Sequence, residues 1–132
     1  MLLMRQIKSI LFTLMLLSVC HVYGQEITEF AICKKIEELQ PLGITKHYKP
    51  GDRAYAWLKV EGAEIGSQIM IDWYAEDQLT HTSKLTISTE PSMRTYAYKT
   101  LYMKGIWKVI VRTRDNTILK EANITVGDDL KD

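Results

Sequence analysis

SQIMIDWYAE, residues 67–76, decides the fold. Ile69, Ile71, Trp73 and Ala75 stand at every second position, with Gln68, Met70, Asp72, Tyr74 and Glu76 between them. A period of two is the mark of a β-strand with one face turned to a core. The same rhythm runs outward in both directions. In AYAWLKVE (54–61), Ala56, Leu58 and Val60 share one face, and Tyr55, Trp57 and Lys59 share the other. In IWKVIVRTR (106–114), Trp107, Val109 and Val111 oppose Lys108, Ile110 and Arg112. TILKEANITV (117–126) sets Ile118, Ala122, Ile124 and Val126 on one side. THTSKLTIST (80–89), with Leu85 and Ile87 inward, RTYAYKTL (94–101) and ITEFAIC (27–33) complete the set.

Turn chemistry separates these runs. Lys49-Pro50-Gly51-Asp52 is a strong turn, because proline presets φ and glycine accepts positive φ. Gly62 and Gly66 bracket a loop, Glu76-Asp77-Gln78 forms a hairpin tip, and Pro91 ends a strand. Lys104-Gly105 turns the chain again, and Asp115-Asn116 makes a second hairpin. KKIEELQ (34–40) fits one or two helical turns or extended chain, and Pro41 and Gly43 mark a loop. About seven strands in a domain of this size predict an immunoglobulin-like antiparallel β-sandwich, with a small closed barrel as the alternative.

The N-terminus has a different character. Arg5 and Lys8 precede ILFTLMLLSV (10–19), an apolar run without charge, followed by Val22, Tyr23 and Gly24. That layout predicts a signal peptide over residues 1–24, and the run is too short for the ~20 residues that span a bilayer. A lipid anchor at Cys20 is the weaker alternative, since Val19 is bulkier than the small residue such a site places before the cysteine. The expected organisation is a signal peptide (1–24), one β-sandwich domain (25–127) and a polar tail (128–132). The expected location is secreted or periplasmic.

The whole chain carries 17 Lys and Arg against 16 Asp and Glu. Without Arg5 and Lys8 the remainder is almost neutral, so no electrostatic case exists for nucleic acid or an anionic membrane surface. It keeps one cysteine, Cys33, in an apolar stretch, which predicts a buried thiol without a disulfide framework.

Residues 30–126 resemble the DUF2914 family of domains of unknown function. The resemblance is carried by Ala31-Ile32-Cys33, Glu37, Pro41-Leu42-Gly43, Trp57 to Val60-Glu61-Gly62, and Trp73-Tyr74. It continues through Arg94-Thr95 with Lys99, then Gly105-Ile106-Trp107-Lys108-Val109-Ile110-Val111, and ends at Ile118-Leu119. Ile71 stands where the family often has histidine, so no role of that histidine carries over. The resemblance implies a fold and no particular activity.

Catalytic and metal chemistry find little support. His47 and His81 sit in polar segments without ligand spacing to each other or to Cys33. Asp128 and Asp129 are adjacent acids on a tail, and Asn123-Ile124-Thr125 is a sequon inside a predicted strand. No nucleophile elbow, phosphate loop or zinc motif is present. Neither a metal nor any other cofactor is expected. Asp72 and Glu76 share a face, but four residues of strand place them ~13 Å apart, beyond a glycosidase pair. The expectation is a non-enzymatic interaction module with an envelope protein or glycan as partner. Its candidate binding residues are Tyr55 and Trp57, as an aromatic platform, with Arg94 and Lys99. A small cell-wall or glycan hydrolase and a structural subunit offering an edge strand are the alternatives.

Overall fold

The computed structural model describes residues 25–128. The expected signal peptide with Cys20, and tail residues 129–132, lie outside the described residues. Among the described residues nine strands follow one another: β1 (Glu26–Glu37), β2 (Gln40–Ile44), β3 (His47–Tyr48), β4 (Asp52–Glu61), β5 (Gln68–Ala75), β6 (Gln78–Thr86), β7 (Ser92–Leu101), β8 (Gly105–Thr113) and β9 (Ile118–Val126). They form two sheets, β2-β1-β4-β7 and β3-β9-β8-β5-β6. Two separate sheets make a sandwich and exclude the closed barrel.

The alternation read from the sequence is what joins the sheets. Leu58 and Val60 from the first sheet meet Ile69, Ile71, Trp73, Val109, Val111 and Ile124 from the second, all buried in one core. The order β9-β8-β5-β6 against β1-β4-β7 matches the G-F-C-C′ and A-B-E strands of immunoglobulin domains. Trp73 on β5 holds the place of their buried strand-C tryptophan, and Ser83 Oγ accepts its indole N–H at 3.3 Å. Among the described residues no disulfide accompanies it, and Cys33 is a free buried cysteine as expected.

Of the two readings of KKIEELQ the extended one holds: β1 runs on to Glu37, and Glu38 and Leu39 turn it back with φ of 51° and 57°. Three expectations are corrected. Pro41 and Gly43 belong to β2, not a loop, and proline is tolerated there because β2 is an edge strand. His47-Tyr48 forms β3, which pairs in parallel with Thr125-Val126, so the sandwich is not wholly antiparallel. Ile118 is exposed, because a register shift between Val111 and Arg112 inserts a residue and turns Leu119 toward the core instead.

Candidate functional site

The outer face of the first sheet holds an aromatic cluster. Alternation along β4 sends Ala54, Ala56, Leu58 and Val60 inward, leaving Arg53, Tyr55, Trp57 and Lys59 on the other side. β7 pairs beside it with Tyr98 opposite Tyr55, Tyr96 opposite Trp57, and Arg94 opposite Lys59. Opposed side chains on one sheet face touch. The Tyr55 ring lies 5.8 Å from Tyr96, edge to face, and 5.7 Å from Tyr98. Tyr96 and Tyr98 are 38% and 51% exposed.

Arg53 closes one end of the cluster. Its guanidinium sits 4.3 Å above the centre of the Tyr98 ring, and its Nη1 donates to the Tyr55 hydroxyl at 3.5 Å. That hydrogen bond raises the Arg53 pKa above its ordinary value. Among the described residues, no carboxylate lies within ion-pair distance of Arg53 or Arg94. At the other end, Lys59 pairs with Glu61 at 3.6 Å.

Trp57 does not form the expected exposed platform with Tyr55. It is 4% exposed, and its indole N–H donates to the Leu39 carbonyl at 2.8 Å, beneath the turn between β1 and β2. Tyr55 keeps its place, and its ring partners are Tyr96 and Tyr98. Arg94 is on the same face and exposed, beside a shallow groove lined by Leu39, Lys59 and Met93. Lys99 is opposite Ala54 in register, so it lies on the side of β7 that faces the other sheet. The structure therefore brings Tyr55, Trp57 and Arg94 to one face and leaves Lys99 off it. An inward lysine on an edge strand discourages pairing with a foreign strand.

Arg53, Tyr96 and Tyr98 were not singled out in the sequence. The signal was present in RTYAYKTL, where Ala97 and Leu101 mark the core set and Arg94, Tyr96 and Tyr98 must therefore point out.

The carboxylates of the hydrolase alternative are both engaged. Asp72 is buried on the outer side of β5, where it accepts from Arg112 Nε at 2.6 Å, Arg112 Nη2 at 3.3 Å and Thr82 Oγ1 at 2.7 Å. Glu76 sits in the β5–β6 turn, and its Oε1 accepts from the Ile106 N–H at 2.9 Å. His47 and His81 are exposed, and His47 Nδ1 hydrogen-bonds Thr125 Oγ1 at 2.8 Å. Among the described residues, no cluster of three His, Cys, Asp or Glu is placed to hold a metal ion, and no helix is long and apolar enough to cross a membrane.

A second concavity opens at the side of the sandwich. It is a cleft of about 240 Å³ between β1, the β2–β3 connection and β9, with Phe30, Ile32, Ile44, Ala122 and Ile124 on its walls.

Residues 66–126, just under half of the chain, match the family described as "Protein of unknown function (DUF2914)", the family the sequence resembles. No curated protein matches the sequence. Among solved structures, a β-glucosidase from Listeria innocua superposes with a TM-score of 0.52 at 10% identity, covering 80% of this chain and 16% of that one. The same enzyme with glucose bound gives 0.51 at 9% identity over the same shares. The Pseudomonas fluorescens alkylpurine DNA glycosylase AlkC, bound to DNA containing an abasic site analog, gives 0.50 at 9% identity, covering 77% of this chain and 30% of that one. This chain spans a minor part of each of those proteins, and the likeness is one of fold.

Proposed function

We propose, for a sandwich whose second half carries the DUF2914 pattern, that the protein is a non-enzymatic binding module of the cell envelope. The outer face of β4 and β7 is its contact surface, and an envelope protein or glycan is its partner. One observation carries this reading: Tyr55, Tyr96 and Tyr98 gather on a sheet face with Arg53 stacked on one of them. Tyrosine and arginine are the residues that recur at binding hot spots. The signal-like residues 1–24 support export to a secreted or periplasmic location. The involvement of Asp72 and Glu76 in structural hydrogen bonds speaks against their use as acid and base.

The test is affinity capture from an envelope fraction by the wild type and by Tyr96→Ala/Tyr98→Ala. Loss of the captured partner in the variant, with an unchanged melting profile, supports the reading. Equal capture by both removes the face as the site.

The structural-subunit alternative also has an observation in its favour. Among the described residues, β2 pairs with β1 only from Cys33 onward, and β3 pairs with β9 only at Thr125 and Val126. The open edges of β1 and β9 flank the apolar cleft. The Thr125 N–H points outward to Lys46, so strand alternation turns the Asn123 peptide group the same way. If a neighbouring subunit pairs there, Asn123→Pro abolishes assembly while the β8–β9 ladder survives. Assembly that persists in this variant removes the alternative.

A further inference from the structure

We propose that the ligand of the tyrosine face is an acidic polysaccharide, lying along β4 and β7 with carboxylates on the cations at both ends. This rests on the reading of that face as the contact surface and adds the chemistry of what it binds.

The charges point to an anion. Arg53 is held in place by the Tyr98 ring and the Tyr55 hydroxyl, is exposed, and has no carboxylate within ion-pair distance among the described residues. A guanidinium fixed in this way is prepared to take a carboxylate with two parallel hydrogen bonds. At the far end, Lys59 and Arg94 are directly opposite each other across β4 and β7. Like charges in that position destabilise a sheet. Glu61 pairs with Lys59 and Glu29 stands opposite Lys59 on β1, so the cation at this end with no carboxylate within ion-pair distance among the described residues is Arg94. An external carboxylate on Arg94 supplies the counter-charge missing there.

The spacing points to a polymer. Arg53 and Lys59 are six residues apart on one strand, or ~20 Å. A monosaccharide or a single amino acid reaches one of these ends, and an extended chain reaches both. Between them lie Tyr98, Tyr55 and Tyr96, whose rings offer surface to the apolar faces of sugars.

The neighbours of the tyrosines favour sugar over peptide. Protein interfaces centre on an apolar core depleted of charge. Between the cationic ends, the outward positions of β4 and β7 that the β1–β2 turn leaves open are Tyr55, Tyr96 and Tyr98, which carry rings and hydroxyls and no aliphatic side chain to form such a core. Hydroxyl-bearing rings with carboxylates match that surface better than an acidic peptide does.

Affinity electrophoresis of the full chain through gels containing polygalacturonate, alginate or hyaluronate tests the proposal. Gels with methyl-esterified polygalacturonate, dextran and polyglutamate serve as comparisons. The expected result is retardation by uronate polymers, with little by the esterified, neutral or peptide polymers. Arg53→Gln and Lys59→Gln/Arg94→Gln each weaken retardation at least tenfold, with melting curves like the wild type. Equal retardation by polyglutamate overturns the sugar assignment and leaves the tyrosine face as a contact surface. No retardation by any uronate polymer, or undiminished retardation of both variants, overturns the proposal. The contact-surface reading itself fails only if Tyr96→Ala/Tyr98→Ala also captures the envelope partner as well as wild type does.

Discussion

Arg112 on β8 clasps the buried carboxylate of Asp72 on β5 with two donors, at 2.6 and 3.3 Å. The pair lies on the outer side of the second sheet, diagonally across a ladder where Met70 opposes Arg112 and Ile110 opposes Asp72. Removing one partner leaves a charge buried without its counterion. Arg112→Met is therefore expected to lower stability by about 3 kcal/mol, toward the low end for buried pairs because the arginine is partly exposed. Adding Asp72→Leu is expected to restore most of the loss. Urea unfolding of the two single variants and the double variant checks this. Two single losses that simply add in the double variant contradict it.

Trp57 is a latch beneath the β1–β2 turn. Trp57→Ala removes a large buried side chain and is expected to cost about 3–5 kcal/mol. Trp57→Phe mainly removes the hydrogen bond to the Leu39 carbonyl and is expected to cost about 1 kcal/mol. The phenylalanine variant should keep its ligand binding, whereas Tyr98→Ala should lose it. Hydrogen exchange localises the effect: amides of β2 lose protection in Trp57→Phe before those of β5 and β8.

Gly105 occupies a position where an added Cβ forces the Glu76 side chain to move. Its φ is 123°, and a Cβ there collides with the Glu76 carboxylate that binds the Ile106 N–H. Gly105→Ala is expected to destabilise by about 1–3 kcal/mol. Glu76→Ala in the same background relieves the collision and leaves the backbone cost. Thermal melts of Gly105→Ala, Glu76→Ala and the double variant separate the two contributions.

Tyr48 makes the fold sensitive to alkali. It is almost fully buried and its hydroxyl has no hydrogen-bond partner among the described residues. Burial raises its pKa first, and the nearby Cys33 and Asp52 raise it further. Below about pH 10 the phenol is protonated in folded and unfolded chains alike, and stability does not depend on it. Above that pH the unfolded chain releases the proton and the folded chain holds it, so stability falls as pH rises. Tyr48→Phe is expected to reduce that alkaline loss and to be neutral or stabilising by up to about 1 kcal/mol at pH 7. An unchanged slope of stability against pH between 9 and 11 contradicts this.

The core was legible because its cause is local. Ile69, Ile71, Trp73 and Ala75 alternate along a single strand, and the period alone assigns their face. The β1–β2 hairpin was not legible, because Glu38 and Leu39 adopt positive φ without the glycine or asparagine that announces such a turn. Ile118 was misassigned because a bulge changes the face of every residue beyond it, and nothing in ILKEA marks where the extra residue falls. In the candidate site, Tyr55 and Arg94 could be read from one strand each. Their neighbours Tyr96 and Tyr98 depended on which strand pairs with β4, a long-range relationship. Trp57 looked exposed by alternation, and only the turn folded over it explains why it is covered.

The most direct test of the contact surface is site-specific photocrosslinking in the native cell. A benzophenone side chain is placed at Tyr98, on the tyrosine face, and separately at Ile110, on the outer side of the second sheet. A discrete, reproducible envelope adduct is expected from position 98 and none from position 110. The reverse pattern, or the same adduct from both positions, contradicts the assignment of the tyrosine face as the surface through which this protein acts.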